Sequence, residues 1–281
     1  MRILSDAGAS VRDVLRSVAI ADRPEFRAWS VTCHDEHAGW SAPETRADHR
    51  IVLVRKGRFQ RTASGVTETL DPTVAYLGVP DEEERFAHPT GGDECTSVSL
   101  APDLWHSIAG DRVPPRPTIY VDAALDLAHR RFVAATHTGD IDYAATERLL
   151  ALLAGALAQA TAGRIPATDR PADRTLVSAA REAIAADHPA SRALVPLAEL
   201  LAVSPYRLSR AFSRELGVSL TAYRNRVRVG AAVTRLTEGE TSLSTLAADL
   251  GFADQSHLTR TIRRQLGHTP TALRDLLRVA N

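Results

Sequence analysis

Residues 197–224 recur as residues 247–274 at a constant offset of 50, without a gap. Ala198, Leu200, Leu208, Arg210, Arg214, Leu216, Gly217, Thr221, Ala222 and Arg224 reappear as Ala248, Leu250, Leu258, Arg260, Arg264, Leu266, Gly267, Thr271, Ala272 and Arg274. Similar residues fill further positions, as in Glu199/Asp249, Ser209/Thr259 and Phe212/Ile262. Similarity at a fixed period means two copies of one supersecondary unit. No other feature of the chain restricts its fold as much.

Each copy reads as helix–turn–helix. In the first, Leu197, Leu200 and Leu201 mark the inner face of a short helix, and Ala202-Val203 is the turn. Ser204 is an N-cap, and Pro205 takes the first helical position, where a missing N–H is harmless. Leu208, Phe212 and Leu216 have the spacing of one buried helical face, and Gly217 ends the helix. In the second copy Leu243, Leu246, Ala247 and Leu250 form the first helix, and Gly251-Phe252 the turn. Asp254 caps a helix buried through Leu258, Ile262 and Leu266, and Thr269-Pro270 caps a last one. Residues 220–237 predict a helix between the copies, with Leu220, Tyr223, Val227, Ala231 and Thr234 in helical spacing. Eighteen residues at about 1.5 Å each span about 27 Å. That length suits two helices entering successive major grooves, about 34 Å apart on one face of a duplex.

The outer faces of the two second helices are polar and rich in Arg, which suits a major groove. An ordinary helical bundle could also carry Arg on its wet face. Two copies with Arg210/Arg260 and Arg214/Arg264 in register favour the DNA reading. Arg207, Arg214, Arg263 and Arg264 sit where phosphates are expected.

Residues 174–281 resemble the DNA-binding domain of AraC/XylS-type transcriptional regulators. The resemblance rests on Gly251-Phe252-Ala253-Asp254-Gln255-Ser256-His257-Leu258-Thr259-Arg260, then Gly267-His268-Thr269-Pro270 and Arg274. Leu258, Ile262 and Leu273 stand where the family favours aromatics. The resemblance implies that Tyr206, Ser209 and Arg210 read bases in one half-site, and Gln255, Ser256, Thr259 and Arg260 in the other. It also implies a cupin-like sensor barrel in the N-terminal half, for which Arg55–Phe59 and Glu84–Pro89 are the resembling segments, followed by a pair of dimerisation helices.

The expected fold is therefore α+β: a cupin-like β-barrel with dimerisation helices, then an all-α domain of two helix–turn–helix units joined by a linker helix. The expected boundaries are 1–163 for the sensor and dimerisation domain, 164–173 for a linker containing Pro166 and Pro171, and 174–281 for the DNA-binding domain. Charge supports the division. Lys+Arg and Asp+Glu are both 34 in the whole chain. Residues 172–281 hold fifteen Arg against ten acidic residues, a balance of +5, and the remaining nineteen basic and twenty-four acidic residues leave −5 before them. An acidic half and a basic half suit a sensor joined to a nucleic-acid binder.

Within residues 25–102, Ile51–Arg55, Phe59–Ala63, Val66–Leu70, Val74–Leu77 and Cys95–Leu100 read as strands, with Ser64-Gly65 as a tight hairpin turn. Helical pattern returns near Ala123, and Leu149, Leu150, Leu152, Leu153 and Leu157 form a broad apolar face. Asp81–Glu84 reads as a solvated loop. Arg12 and Arg16 interrupt any signal-like apolar core, and the run Leu149–Ala158 is too short for a bilayer. A cytoplasmic protein with no membrane contact is expected.

The sensor half shows little chemistry. Cys33-His34-Asp35-Glu36-His37, His88 and Cys95 offer metal-ligand types, but their spacing matches no standard zinc site. No His-x-His occurs, which argues against a cupin-type metal enzyme fused to a DNA-binding tail. Neither a catalytic residue, a metal nor a cofactor is expected. Trp29, Trp40, Tyr76, Phe86, Trp105 and Tyr120 either line an effector pocket or pack a core. The expected partners are double-stranded DNA, a small-molecule effector and a second copy of the chain, joined through the N-terminal half. A ligand-free dimerising regulator is the alternative.

Overall fold

A computed structural model of the chain describes residues 15–34, 39–110, 117–161 and 170–278. Arg12, residues 35–37 and linker residues 164–169 lie outside these. The chain forms two compact units, one within Met1–Asp111 together with Pro117–Ile119, the other within Tyr120–Asn281.

Among the described residues the first unit contains the strands β1 (Leu15–Asp22), β2 (Phe26–Cys33), β3 (His49–Lys56), β4 (Phe59–Ala63), β5 (Val66–Leu70), β6 (Val74–Gly78), β7 (Glu84–Ala87), β8 (Asp93–Leu100) and β9 (Thr118–Tyr120), with helix α1 (Pro102–Ala109) after β8. They form a six-stranded sheet in the order β1-β2-β8-β3-β6-β9 and a three-stranded sheet in the order β5-β4-β7. Ser64 and Gly65, at φ 48 and 75, make the β4–β5 hairpin turn, the double positive φ of a type I′ loop. Central β3 buries Arg50 through Val54 without alternation, as a strand covered on both faces does. Edge strand β1 is largely exposed.

The solvated loop expected at Asp81–Glu84 holds for Asp81 and Glu83, which are exposed, and fails at Glu84. Glu84 is 1% exposed and opens β7. Its carboxylate accepts from Arg50 Nη2 at 2.7 Å and from Arg61 Nε at 2.6 Å. Glu82 takes Arg61 Nη2 at 2.6 Å. Two buried guanidiniums require carboxylates beside them, which draws Glu84 fully and Glu82 partly inward, while Asp81 and Glu83 stay exposed. The Arg61 guanidinium also sits 4.6 Å from the Tyr76 ring centroid. The other aromatics pack similarly: Trp105 stacks on His49 at 4.3 Å, whereas Trp40 is 42% exposed.

The second unit opens with α2 (Ala123–His137), a π-turn at Ile141–Ala145 and α3 (Thr146–Thr161). Then come α4 (Pro171–Ala185), α5 (Leu194–Leu200), α6 (Pro205–Leu216), α7 (Leu220–Thr237), α8 (Leu243–Asp249), α9 (Gln255–Leu266) and α10 (Pro270–Leu276); α4 starts three residues inside the expected 164–173 linker, because Pro171 takes the first helical turn, where its missing N–H is harmless. No helix among the described residues is long and apolar enough to cross a membrane. In α3, Leu149, Leu152, Leu153 and Leu157 are buried, but Leu150 is 42% exposed.

Two sequence readings of this unit change. The first concerns the offset. From the second helix onward, 50 holds: Ser204 and Asp254 cap, and Gly217 and Gly267 close α6 and α9 in the left-handed conformation. In the first helices the structural offset is 49. Buried Leu197 and Ala198 match Leu246 and Ala247. The turn bonds Val203 N to Ala198 O and Phe252 N to Ala247 O also agree at 49. The second turn holds one extra residue, so the identities Ala198/Ala248 and Leu200/Leu250 are not structurally equivalent, and Leu200 is 47% exposed rather than inward. The left-handed turn residue is Gly251 at φ 69 in the second copy but Ala202 at φ 53 in the first. A left-handed alanine costs about 1–2 kcal/mol, and glycine loses about 0.4–1 through the unfolded chain. Ala202→Gly is therefore expected to raise stability by about 0.5–1 kcal/mol in chemical denaturation; a loss of stability would show that the strain is absent.

The second concerns α7. It spans the expected residues, but its buried stripe is Tyr223, Arg226, Val229, Gly230, Val233 and Leu236, and Val227, Ala231 and Thr234 are only partly covered. A buried arginine interrupts the apolar pattern there. Arg226 donates to Val121 O at 2.9 Å and pairs with Asp126 of α2 at 3.4 Å. Asp126 also accepts from Arg130, which reaches Thr234 of α7 at 3.0 Å. Ala123 and Leu127 of α2 join the apolar core of the second copy, with Val229, Val233, Phe252, Leu258 and Ile262.

Burial alone would raise the Asp126 carboxyl, but Arg226, Arg130 and His129 outweigh it and hold it below the ordinary 3.8. A depressed carboxyl contributes stability that is complete above its unfolded value and lost as pH falls through its lower folded value. Below about pH 4 the helical unit is expected to weaken more steeply in the wild type than in Asp126→Asn. Urea midpoints followed by the far-ultraviolet helix signal check this, and parallel pH profiles would refute it.

Candidate nucleic-acid interface

The helices that would read DNA are α6 and α9. Each starts at a side-chain cap: Ser204 Oγ accepts from Arg207 N at 3.2 Å, and Asp254 Oδ1 from His257 N at 2.6 Å. Each buries one stripe, Leu208, Ala211, Phe212 and Leu216 in α6 and Leu258, Thr261, Ile262 and Leu266 in α9. The opposite faces are left to solvent. Phe212 packs edge-on against Tyr223 of α7 at 5.0 Å, which ties the first reader to the linker helix.

Of the expected base readers, Tyr206, Arg210, Gln255, Ser256 and Arg260 are exposed, and Ser209 and Thr259 are half-buried. Tyr206 is 71% exposed, and its hydroxyl accepts from Arg210 Nη1 at 3.3 Å. A tyrosine open to water beside an arginine fits a surface that meets a partner. Of the expected phosphate contacts, Arg207, Arg263 and Arg264 are exposed. Arg214 differs: its Nη1 pairs with the buried Asp173 of α4 at 2.5 Å. The repeat could not reveal this, because the partner lies outside both copies. A groove of about 560 Å³ runs between α4 and α6, lined by Arg170, Asp173, Tyr206, Arg207, Arg210 and Arg214.

Two arginines outside those expectations shape the turns. Arg228 of α7 stands 5.8 Å from the Phe252 ring centroid, and a Cβ on Gly251 would come within 2.7 Å of its Nη2. Arg274 donates to Glu240 O at 2.9 Å and braces the end of α7. The described residues of α6 and α9 hold no metal-ligand cluster. The donor group Cys33, His88 and Asp93 belongs to the β unit.

Two capped amphipathic helices, each behind a short helix and a tight turn and joined by an eighteen-residue helix, define a double helix–turn–helix protein. Residues 197–275 match the helix-turn-helix domain family. A stretch of 77 residues is 30% identical to the arabinose operon regulatory protein of Escherichia coli (strain K12), covering 27% of this chain and 26% of that protein. A stretch of 73 residues is 32% identical to the regulatory protein PocR of Salmonella typhimurium, covering 26% and 24%. The matches thus span about a quarter of the length of these curated relatives. Among solved structures, ToxT from Vibrio cholerae O395 is 12% identical over 91% of this chain and 99% of that one, with a TM-score of 0.37. The C-terminal part of the chain is a helix–turn–helix domain of the AraC/XylS type, homologous to that of the arabinose operon regulators.

Proposed function

We propose that the protein is a sequence-specific DNA-binding transcription regulator. The observation that supports this best is the matched pair of capped, Arg-bearing helices α6 and α9. Tyr206, Ser209 and Arg210 read bases in one half-site, and Gln255, Ser256, Thr259 and Arg260 in the next. Arg207, Arg263 and Arg264 hold phosphates, and Arg214 does so while keeping one Nη on Asp173. The β unit takes a small-molecule effector and performs no catalysis, and the N-terminal half, with its helices α2 and α3, pairs two copies. The protein then works beside the DNA, in the cytoplasm. Selection from random duplexes should return two conserved half-sites about one helical turn apart; a selection without a motif would defeat the reading. Sedimentation of the full chain tests pairing, and a thermal-shift screen of small molecules tests the effector.

The phosphate contacts have their own readout. Arg264→Ala is expected to weaken binding to all sequences alike and to lower the salt slope by about one, with the fold intact. Arg214→Ala is expected to lower the slope and also the melting temperature, since Asp173 loses its partner. An unchanged slope in Arg214→Ala would leave Arg214 as a fold residue alone.

A further inference from the structure

Donor side chains far apart in sequence converge at one corner of the β unit. Cys33 ends β2 opposite Asp93, the first residue of β8. Directly opposed residues of an antiparallel pair project from one face, and so does Cys95, two residues along. All three are buried. His88 arrives from the segment between β7 and β8 and is half-buried. One donor atom each from Cys33, His88 and Asp93 lies within 4.8 Å of the others. His88 Nε2 stands 2.9 Å from Asp93 Oδ1, and Cys95 Sγ donates to Asp93 Oδ2 at 2.7 Å.

The backbone builds this corner tightly. A Cβ on Gly92 would lie 2.0 Å from Cys33 O, and one on Gly57 would lie 2.4 Å from Gly92 O. Three chain segments therefore approach more closely than side chains at these positions would allow, and the donors sit on a rigid frame. A second observation points to a ligand. Asp93 Oδ1 is fully buried, and no hydrogen bond satisfies it among the described residues; its approach to His88 is an ion-pair contact. A buried carboxylate oxygen in that state is unfavourable, and a cation at this point would relieve it.

The donor set selects the cation. Mg²⁺ and Ca²⁺ prefer oxygen alone, whereas thiolate with imidazole suits Zn²⁺. Bonds of about 2.3 Å to sulfur and about 2.0–2.2 Å to nitrogen and oxygen place tetrahedral donors roughly 3.3–3.7 Å apart. From separations of up to 4.8 Å the donors need to close by at most about 1 Å, while the 2.9 Å His88–Asp93 pair opens by about 0.5 Å. We propose that Cys33, His88 and Asp93 bind one zinc-class ion, with Cys95 orienting the Asp93 carboxylate by its hydrogen bond. Three protein donors leave a fourth position for water or a small ligand. The proposal goes beyond the regulator reading and does not depend on it.

Reduced, tag-free full-length protein is titrated with ZnCl₂ against a chromophoric chelator, and separately with CoCl₂. One ion per chain is expected, with a Kd of about 1 µM or tighter. The Co²⁺ adduct should show a thiolate-to-metal charge-transfer band that Cys33→Ser abolishes and Cys95→Ser retains. His88→Ala and Asp93→Asn should weaken binding by more than about 100-fold, and Cys95→Ser, as an orienting partner, by about 10–100-fold. Excess ZnCl₂ should raise the Tm of the wild type by about 5 °C or more and leave that of His88→Ala unmoved. His88 is half-buried, so that variant keeps its fold, which circular dichroism checks. Binding that persists unchanged in His88→Ala and Cys33→Ser, a Co²⁺ adduct without the thiolate band, or reduced protein that takes up no ion would each overturn the proposal.

Discussion

Glu84→Ala is expected to destabilise the β unit by about 3–5 kcal/mol. Glu84 is the shared partner of Arg50 and Arg61, and the three residues are 1%, 4% and 1% exposed. Removing it leaves Arg50 without the carboxylate that holds it and leaves Arg61 with Glu82 alone. Water cannot reach in to compensate, so the loss exceeds that of any surface pair, which is typically below about 1 kcal/mol. Glu84→Gln should lose less, because an amide oxygen still accepts one of the two hydrogen bonds. The chain has three tryptophans, Trp29, Trp40 and Trp105, and all fall in this unit. Tryptophan fluorescence in urea therefore follows the β unit selectively. A shift in Glu84→Ala below about 1 kcal/mol would show that the two arginines find water or other partners.

Arg210→Ala and Arg260→Ala are each expected to relax sequence selectivity by about 1–3 kcal/mol, or roughly 5–150-fold, in different halves of one site. Both arginines are exposed one turn into their helices and share the repeat register. A bidentate Arg–guanine contact discriminates by that amount, whereas binding to unrelated DNA rests on phosphate contacts and should change little. Competition against duplexes altered in one half-site at a time separates the two variants. If both bind the selected site as selectively as the wild type, the base-reading assignment fails.

The exposed faces of α6 and α9 were legible in the sequence because each depends on a single helix. N-cap, apolar stripe and closing glycine are local signals, and Ser204, Leu208 and Gly217 place Tyr206 and Arg210 outward without reference to anything else. Arg214 shows where that logic stops. The repeat assigns it the same role as Arg264, yet Asp173 of α4 engages one of the two and no part of the repeat encodes that partner. Cys33 and His88 stood out as donor types in the sequence, but Asp93 and the convergence of the three did not, for a related reason. Zinc spacings recognisable in a sequence come from donors on one short segment, but Cys33, His88 and Asp93 meet through strand pairing of β2 with β8.

By itself the sequence determined the ends of α6 and α9, the linker helix from Leu220 to Thr237, the hairpin at Ser64-Gly65 and the existence of two helix–turn–helix units. These follow from hydrogen-bond capping, glycine conformation and short-range periodicity, all of which act within a few residues. Only the tertiary structure decided which face of α7 is buried, that Glu84 of the acidic run turns inward, and that the first helices of the repeat are related by 49 residues rather than 50. The first two outcomes turn on a buried charge whose partner is distant in the chain, Asp126 for Arg226 and Arg50 with Arg61 for Glu84; the third comes from one extra residue in the second turn, visible only in the turn bonds. A charged side chain reads as surface until its counter-charge is known, and in this chain folding supplies that counter-charge.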